Sequence, residues 1–232
     1  MTGILYGVGV GPGDPDLLTI SAIRCIELSS VIAYPCLEGT PSFARSIVSD
    51  YIKESQEEIA IAIPMLQEPE PAQQAYDRAA QTLLERLQKG KNVAVLCEGD
   101  PFFYGSFQYL FFRLAKQCPI KVVPGVSSLM SCSASLSRPL SARNDVLSIL
   151  PAPLPDADLK ACLQVADTAA IIKIGRHFSR IRELLEIMNL KQESYYIERS
   201  TLPNEKIQVL DNVNPKEVPY FSMILVQRRG KI

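Results

Sequence analysis

Five short apolar runs, at residues 3–10, 31–35, 58–63, 92–97 and 120–125, are separated from one another by stretches of helical periodicity. Strands joined through helices run parallel, and a parallel sheet needs helices on its faces, so this alternation fixes an α/β layout for the first 120 residues. The helices are expected from about residue 15, with Asp14 as cap ahead of Pro15 and Asp16; over TPSFARSIVSDYI, opened by Thr40 and Pro41; over PAQQAYDRAAQTLLERLQKG, closed at Gly90; and over SFQYLFFRLAKQ.

The second half changes character. VSSLMSCSASLS (126–137) is rich in small residues, and Ser127 and Ser128 open a helix there. DVLSILPAP, AAIIKIG, SYYIER, KIQVL and SMILVQR read as strands, with convincing helices only near 156–163 and 178–189. The last three strands follow one another through short connections, which indicates antiparallel pairing. We therefore expect an N-terminal α/β domain over 1–120 with a mostly parallel sheet flanked by helices, and a C-terminal α/β domain over 121–232 with a mixed sheet and helices.

Composition excludes several function classes. With 47% hydrophobic and 21% charged residues among 232, the chain can bury a sizeable core. A net charge of -1 gives no basic field for nucleic acid. Six scattered cysteines without a CxxC pair, and His177 as the one histidine, are poor material for a metal site, and the cysteines read as reduced core residues. No basic leader and no apolar run of about 18 to 20 residues is seen, so a cytoplasmic, non-membrane protein is expected.

Two glycine loops follow strands. In GVGVGPGDPDLLT (7–19) the dinucleotide pattern GxGxxG fails, because Pro12 or Asp14 stands where the third glycine belongs, and no lysine completes a GxxxxGK[ST] loop. An Asp at the phosphate position repels the ligand. VLCEGDPFFYGSF (95–107) likewise offers carboxylates and aromatic walls, which suit a cationic, adenosine-bearing ligand better than a polyphosphate.

GVGVGPGDPDLLT, EGDPFFYG and PGVSS (124–128), in this order at strand ends, resemble the tetrapyrrole methylase family, and the resemblance covers essentially the whole chain. It implies the two-domain fold of that family, an active-site cleft between the domains, S-adenosylmethionine (SAM) as cofactor with S-adenosylhomocysteine as product, a tetrapyrrole substrate and a homodimer. Within the family, CEGDPFFYGSF, IAYP and RPLSARNDVLSILPA (138–152) imply methylation of carbon 20 of precorrin-2, or of cobalt-factor II, in cobalamin synthesis. Uroporphyrinogen-III methylation, and ribosomal-RNA or diphthamide methylation on the same fold, are the alternatives; a phosphate-gripping regulatory module is the alternative from another class.

Carried over by position, the resemblance assigns cofactor contacts to Pro12, Glu98, Gly99, Asp100, Phe103, Ser127, Ser128, Ile174 and Gly175, and places Gly11, Gly13 and Asp14 beside the tetrapyrrole. Asp100 also reads as an Asx-turn brace before Pro101, Glu98 as a solvated rim carboxylate, and Ser127 and Ser128 as helix caps. Tyr34, Tyr104 and Tyr220 are phenols at strand edges, able to orient substrate or, with Asp100, to serve the proton transfer; packing is their ordinary role. Arg138, Arg143, Arg176 and Arg199 suit the eight carboxylates of precorrin-2, although each is individually more often a surface charge.

Overall fold

The run with no polar side chain, VAVLC, is buried along its whole length as β4 (Val93–Cys97). It lies inside a five-stranded sheet of order β3-β2-β4-β1-β5, in which β1 is Leu5–Gly9, β2 Val31–Leu37, β3 Glu57–Ile63 and β5 Ile120–Val123. Every pairing in this sheet is parallel. The structure, a computed structural model, describes residues 2–64 and 69–228. Its chain packs as two units, Met1–Ser127 and Ser128–Ile232.

The alternation of side chains along β4 divides the core of the first unit. Val93, Val95 and Cys97 join Leu5, Val31 and Ala33 under α3 (Pro69–Gln88) and α4 (Phe107–Leu114). Ala94 and Leu96 face the other way, joining Val8, Val10 and Ile32 under α1 (Ile20–Leu28) and α2 (Phe43–Ile47). Tyr76, Ala79, Ala80, Leu83 and Leu87 are the stripe of α3 that meets the sheet, at helical spacing.

Two helix starts differ from the sequence-based expectation. Residues Pro15–Leu17 form a single 3-10 turn in which Asp14 accepts the Asp16 N–H at 2.9 Å. Leu18 is extended, and α1 begins only after Thr19, whose hydroxyl accepts the Ala22 N–H at 3.1 Å. Thr40 does not open α2, because its hydroxyl donates back to the Leu37 carbonyl at 2.9 Å; Ser42 is the cap, accepting from Arg45 at 3.3 Å. Cys97 and Cys132 are core residues as expected, whereas Cys25, Cys36, Cys118 and Cys162 are only half-buried.

The second unit carries a mixed sheet of order β6-β7-β10-β8-β9, made of Leu147–Pro151, Thr168–Ile172, Ser222–Gln227, Ser194–Glu198 and Lys206–Val209. β6 and β7 are parallel, and the remaining pairs are antiparallel. α6 (Asp156–Val165) and α7 (Phe178–Ile187) cover one face through Leu159, Leu163, Phe178, Ile181 and Leu185, against Ala169, Ile171, Tyr196 and Ile224. α5 (Ser128–Ser135) opens the unit. No helix among the described residues is long and apolar enough to cross a membrane.

Phe107 explains Gly7. A Cβ on Gly7 would lie 2.4 Å from the Phe107 ring, so the phenylalanine fills the space a side chain would take. Gly7→Ala is expected to cost about 1–3 kcal/mol by overpacking. Urea denaturation should show Gly7→Ala/Phe107→Leu more stable than the two single losses add up to.

Candidate active site

The carboxyl ends of β4, β1 and β5 lie side by side, and their loops meet backbone to backbone. Gly99 donates its N–H to the Gly11 carbonyl at 2.8 Å and accepts the Gly11 N–H at 3.3 Å, joining the two glycine loops by an isolated antiparallel bridge. Gly125, after β5, presses on both: a Cβ there would lie 2.1 Å from the Gly99 oxygen and 2.8 Å from the Gly9 Cα. A Cβ on Gly9 would in turn lie 2.6 Å from the Gly125 nitrogen. No side chain fits at either position.

Asp100 locks this contact. Its Oδ1 accepts the N–H groups of Phe102 and Phe103 at 2.9 and 3.1 Å, and its Oδ2 accepts the Gly125 N–H at 3.1 Å. The brace reading of Asp100 is therefore realised, and extends to a second loop. Phe103 is half-buried, with its ring edge-on to Tyr104 at 5.2 Å. Tyr104 is an exposed residue at φ 55°, a left-handed conformation uncommon outside glycine.

Hydrogen-bond accounting counts against a phosphate cradle here. A nest for phosphate needs several backbone N–H groups pointing at the ligand. In these loops the N–H groups of Val10, Gly11, Gly99, Phe102, Phe103 and Gly125 all donate to protein oxygens. What the loops carry instead is acid: Asp14, Glu98 and Asp100, with no lysine or arginine between residues 7 and 19 or between 95 and 107.

Glu98 stands at the start of the second loop, half-buried. Burial raises its carboxyl above the ordinary carboxylate range, against its own N–H and that of Ala44 in the first turn of α2, which stabilise the anion. Tyr34, on β2, belongs to a separate cluster. Arg45 grips Glu58 through two bonds of 3.0 Å, and the Tyr34 phenol hydrogen-bonds with both; burial first, then Glu58, push the Tyr34 hydroxyl up.

In the second unit, Ser128 is the exposed first residue of α5. Ile174 is buried beyond β7, and Gly175 follows at φ 33° with open space where a Cβ would go. The arginines separate into two pairs. Arg199 donates to the buried Glu198 at 2.5 Å, and Arg138 lies 3.6 Å over the Tyr195 ring with a 3.2 Å bond to Gln227. Arg143, at φ 50°, and Arg176 are exposed. Tyr220 is 70% exposed and stacks edge-on with Phe221 at 5.3 Å. The sequence reading singled out Pro12, Gly11, Gly13, Asp14, Glu98, Gly99, Asp100 and Phe103, and the structure gathers them into one loop cluster. It quoted Gly125 within PGVSS without giving it a role, and passed over Ala44 and the Arg45–Glu58 pair.

Asp100→Asn keeps an acceptor for the Phe102 and Phe103 N–H groups but turns an amide N–H toward Gly125, so a loss of about 1–3 kcal/mol is expected in urea denaturation. Glu98 gives a pH test. A carboxyl whose folded pKa is raised contributes stability that is complete below its unfolded value and is lost as pH rises through the folded one. Glu98→Gln should therefore raise the melting temperature at pH 7, and the advantage should shrink as pH falls toward the ordinary carboxylate range.

Comparison with known proteins bears on the same chain. Residues 4–212 match the family model described as Tetrapyrrole (Corrin/Porphyrin) Methylases. The chain is 35% identical over 232 residues to the precorrin-2 C(20)-methyltransferase of Sinorhizobium sp, covering 97% of this chain and 95% of that protein. It is 37% identical over 232 residues, 97% of its length, to the cobalamin biosynthesis protein CobIJ of Mycobacterium tuberculosis, and spans 46%, about half, of that longer protein. The crystal structure of uroporphyrin-III C-methyl transferase from Thermus thermophilus complexed with S-adenyl homocysteine shares the fold, with a TM-score of 0.69 at 24% identity, over 97% of this chain and 92% of that one. A family model matched from residue 4 to 212 and a near full-length relative at 35% identity place one conclusion on these loops: the chain belongs to the tetrapyrrole methylases.

Proposed function

We propose that the chain is a SAM-dependent methyltransferase that methylates carbon 20, the meso carbon between rings A and D, of precorrin-2 or of cobalt-factor II, giving precorrin-3A or cobalt-factor III in cobalamin synthesis. The observation that carries this reading is the loop cluster in which the N–H groups of Val10, Gly11, Gly99, Phe102, Phe103 and Gly125 are bonded to protein and in which every charged side chain is acidic. Such a site rejects phosphate and suits a sulfonium and an ammonium. The whole-length likeness to a precorrin-2 C(20)-methyltransferase supports carbon 20 over other ring carbons.

SAM supplies an electrophilic methyl group, and the substrate carbon, enamine-like, is already a nucleophile. The chain's own work is alignment, exclusion of water and collection of one proton. In the first unit, Pro12, Glu98, Gly99, Asp100, Phe103 and Ser127 would hold the cofactor; in the second, Ser128, Ile174 and Gly175. Gly11, Gly13, Asp14 and Tyr34 would border the tetrapyrrole, and Asp100, Tyr104 and Tyr220 would serve the reacting centre. Asp100 does so by fixing the loop, because its three N–H bonds leave it little capacity for more. Among the arginines, Arg143 and Arg176 suit the substrate carboxylates better than Arg138 and Arg199, whose guanidinium groups are engaged with Tyr195 and Gln227, and with Glu198. A homodimer acting in the cytoplasm, without nucleic acid, completes the reading, and the net charge of -1 supports the last point.

The deciding assay incubates the purified protein with methyl-labelled SAM and, separately, uroporphyrinogen III, precorrin-2 or cobalt-factor II, and locates the label by mass spectrometry and NMR. Label at carbon 20 is expected. Label at another carbon, or on uroporphyrinogen III alone, overturns the assignment in favour of a sister methylase.

A further inference from the structure

The buried side of α5 carries hydrogen-bonding groups alongside apolar ones. Ser131 and Cys132 lie on its buried side beside Leu129. The Ser131 hydroxyl donates to the Ser128 carbonyl at 3.1 Å, and the Ser200 hydroxyl donates to Ser131 at 3.2 Å. Ser200 also lies 3.2 Å from the hydroxyl of Ser135, which donates to Glu205 Oε2 at 2.8 Å. The same Oε2 accepts the Thr201 N–H at 2.8 Å. Two hydrogen-bonded links thus tie α5 to the 199–205 loop, Ser128 carbonyl–Ser131–Ser200 near its start and Ser135–Glu205 at its end, with Ser131 and Ser200 at 5% and 7% exposure.

The loop at the far end of this chain is strained. Arg199 and Thr201 have φ of 52° and 72°, and for a β-branched threonine the left-handed conformation is an outlier. Three bonds hold it there: Arg199 N–H to the Phe221 carbonyl at 2.8 Å, Leu202 N–H to the Arg199 carbonyl at 3.0 Å, and Thr201 N–H to Glu205. Strain of this kind persists only where the surroundings over-determine it. Its effect here is to present the Ser200 hydroxyl to Ser131 and Ser135 one turn apart on α5. Apolar packing would hold the helix while letting it slide; directional bonds between buried groups admit one position.

We infer that Glu205 and Ser200 are positioning residues for the first turn of α5, fixing the geometry in which Ser128 meets the cofactor. This rests on the proposed reading of Ser128 as a cofactor contact. Because both bonds fall on one oxygen of Glu205, Glu205→Gln preserves them and Glu205→Leu removes them. Ser135→Ala cuts the link from Glu205 to the helix while leaving the Glu205–Thr201 bond that shapes the loop.

The test measures S-adenosylhomocysteine affinity of the full chain by calorimetry, together with amide hydrogen exchange of α5 in the ligand-free protein. Glu205→Leu and Ser135→Ala should each weaken binding about tenfold and speed exchange in the first turn of α5, whereas Glu205→Gln stays within about twofold of the parent. Ser128→Ala should weaken binding too, and Ser128→Ala/Glu205→Leu should bind no more weakly than the weaker single variant, since both act through one contact. Leu163→Ala, a core change in α6 that lowers stability without touching α5, should leave affinity unchanged. If Ser128→Ala weakens binding but Glu205→Leu and Ser135→Ala do not, the positioning role is overturned and the reading of Ser128 stands. Additive losses in the double variant, or a matching loss in Leu163→Ala, also overturn it. Parent-like binding by Ser128→Ala removes Ser128 from the cofactor site, and the inference falls with it.

Discussion

Three backbone segments touching without side chains between them set the geometry of the first unit. Gly9, Gly99 and Gly125 come from the exits of three neighbouring parallel strands, and a Cβ on Gly9 or Gly125 would sit 2.1 to 2.8 Å from another segment's backbone. Contact this close lets the Gly11–Gly99 bridge form and brings the Gly125 N–H within reach of Asp100. One carboxylate then satisfies donors from two loops, so the loops behave as a single rigid lip beyond the sheet, where open α/β sheets bind ligands. The parallel order β4-β1-β5 is what makes these exits neighbours.

The second unit reaches precision by another route. Its strand exits carry strained non-glycine residues, Lys173, Arg199 and Thr201, at φ of 57°, 52° and 72°. Side chains help to hold the last two. Buried Glu198 receives the Tyr196 hydroxyl at 2.6 Å and the Arg199 guanidinium at 2.5 Å, and burial, then Glu198, push the Tyr196 phenol well up. Glu205 does the equivalent work on Thr201 and Ser135. A half-satisfied network of this kind costs more than an apolar core, so its completeness is a structural requirement.

Much of this was legible in the sequence, for reasons that can be traced to residues. Most strands of both sheets follow apolar runs bounded by turn residues, and β4 is buried on both faces because VAVLC offers nothing for water. Helix starts were less legible. Thr40 and Ser42 both have hydroxyls suited to capping, and the local turn that brings the Leu37 carbonyl to both the N–H and the hydroxyl of Thr40 decides that Thr40 turns back. The loop cluster was legible by residue type, through Glu98-Gly99-Asp100 and the opening glycines. Gly125 was not, because its role exists only once β5 pairs with β1 across more than 100 residues of intervening chain. Ser131, Ser135, Ser200 and Glu205 gave no signal either: small polar residues on a short helix look like surface until their partners, 65 to 70 positions away, are placed.

The glycine count of the opening loop, taken alone, points to phosphate; the direction of its N–H groups points elsewhere. A phosphate loop uses glycine so that free backbone donors converge on a ligand. Here glycine serves close approach of protein to protein, and the donors are consumed in that contact: Val10 to Cys97, Gly11 and Gly99 to each other, Gly125 to Asp100. Once those donors are used, the chemistry left at the lip is that of its carboxylates and aromatic rings. The same glycine packing that holds the three strand exits together therefore counts against a phosphate ligand at this lip.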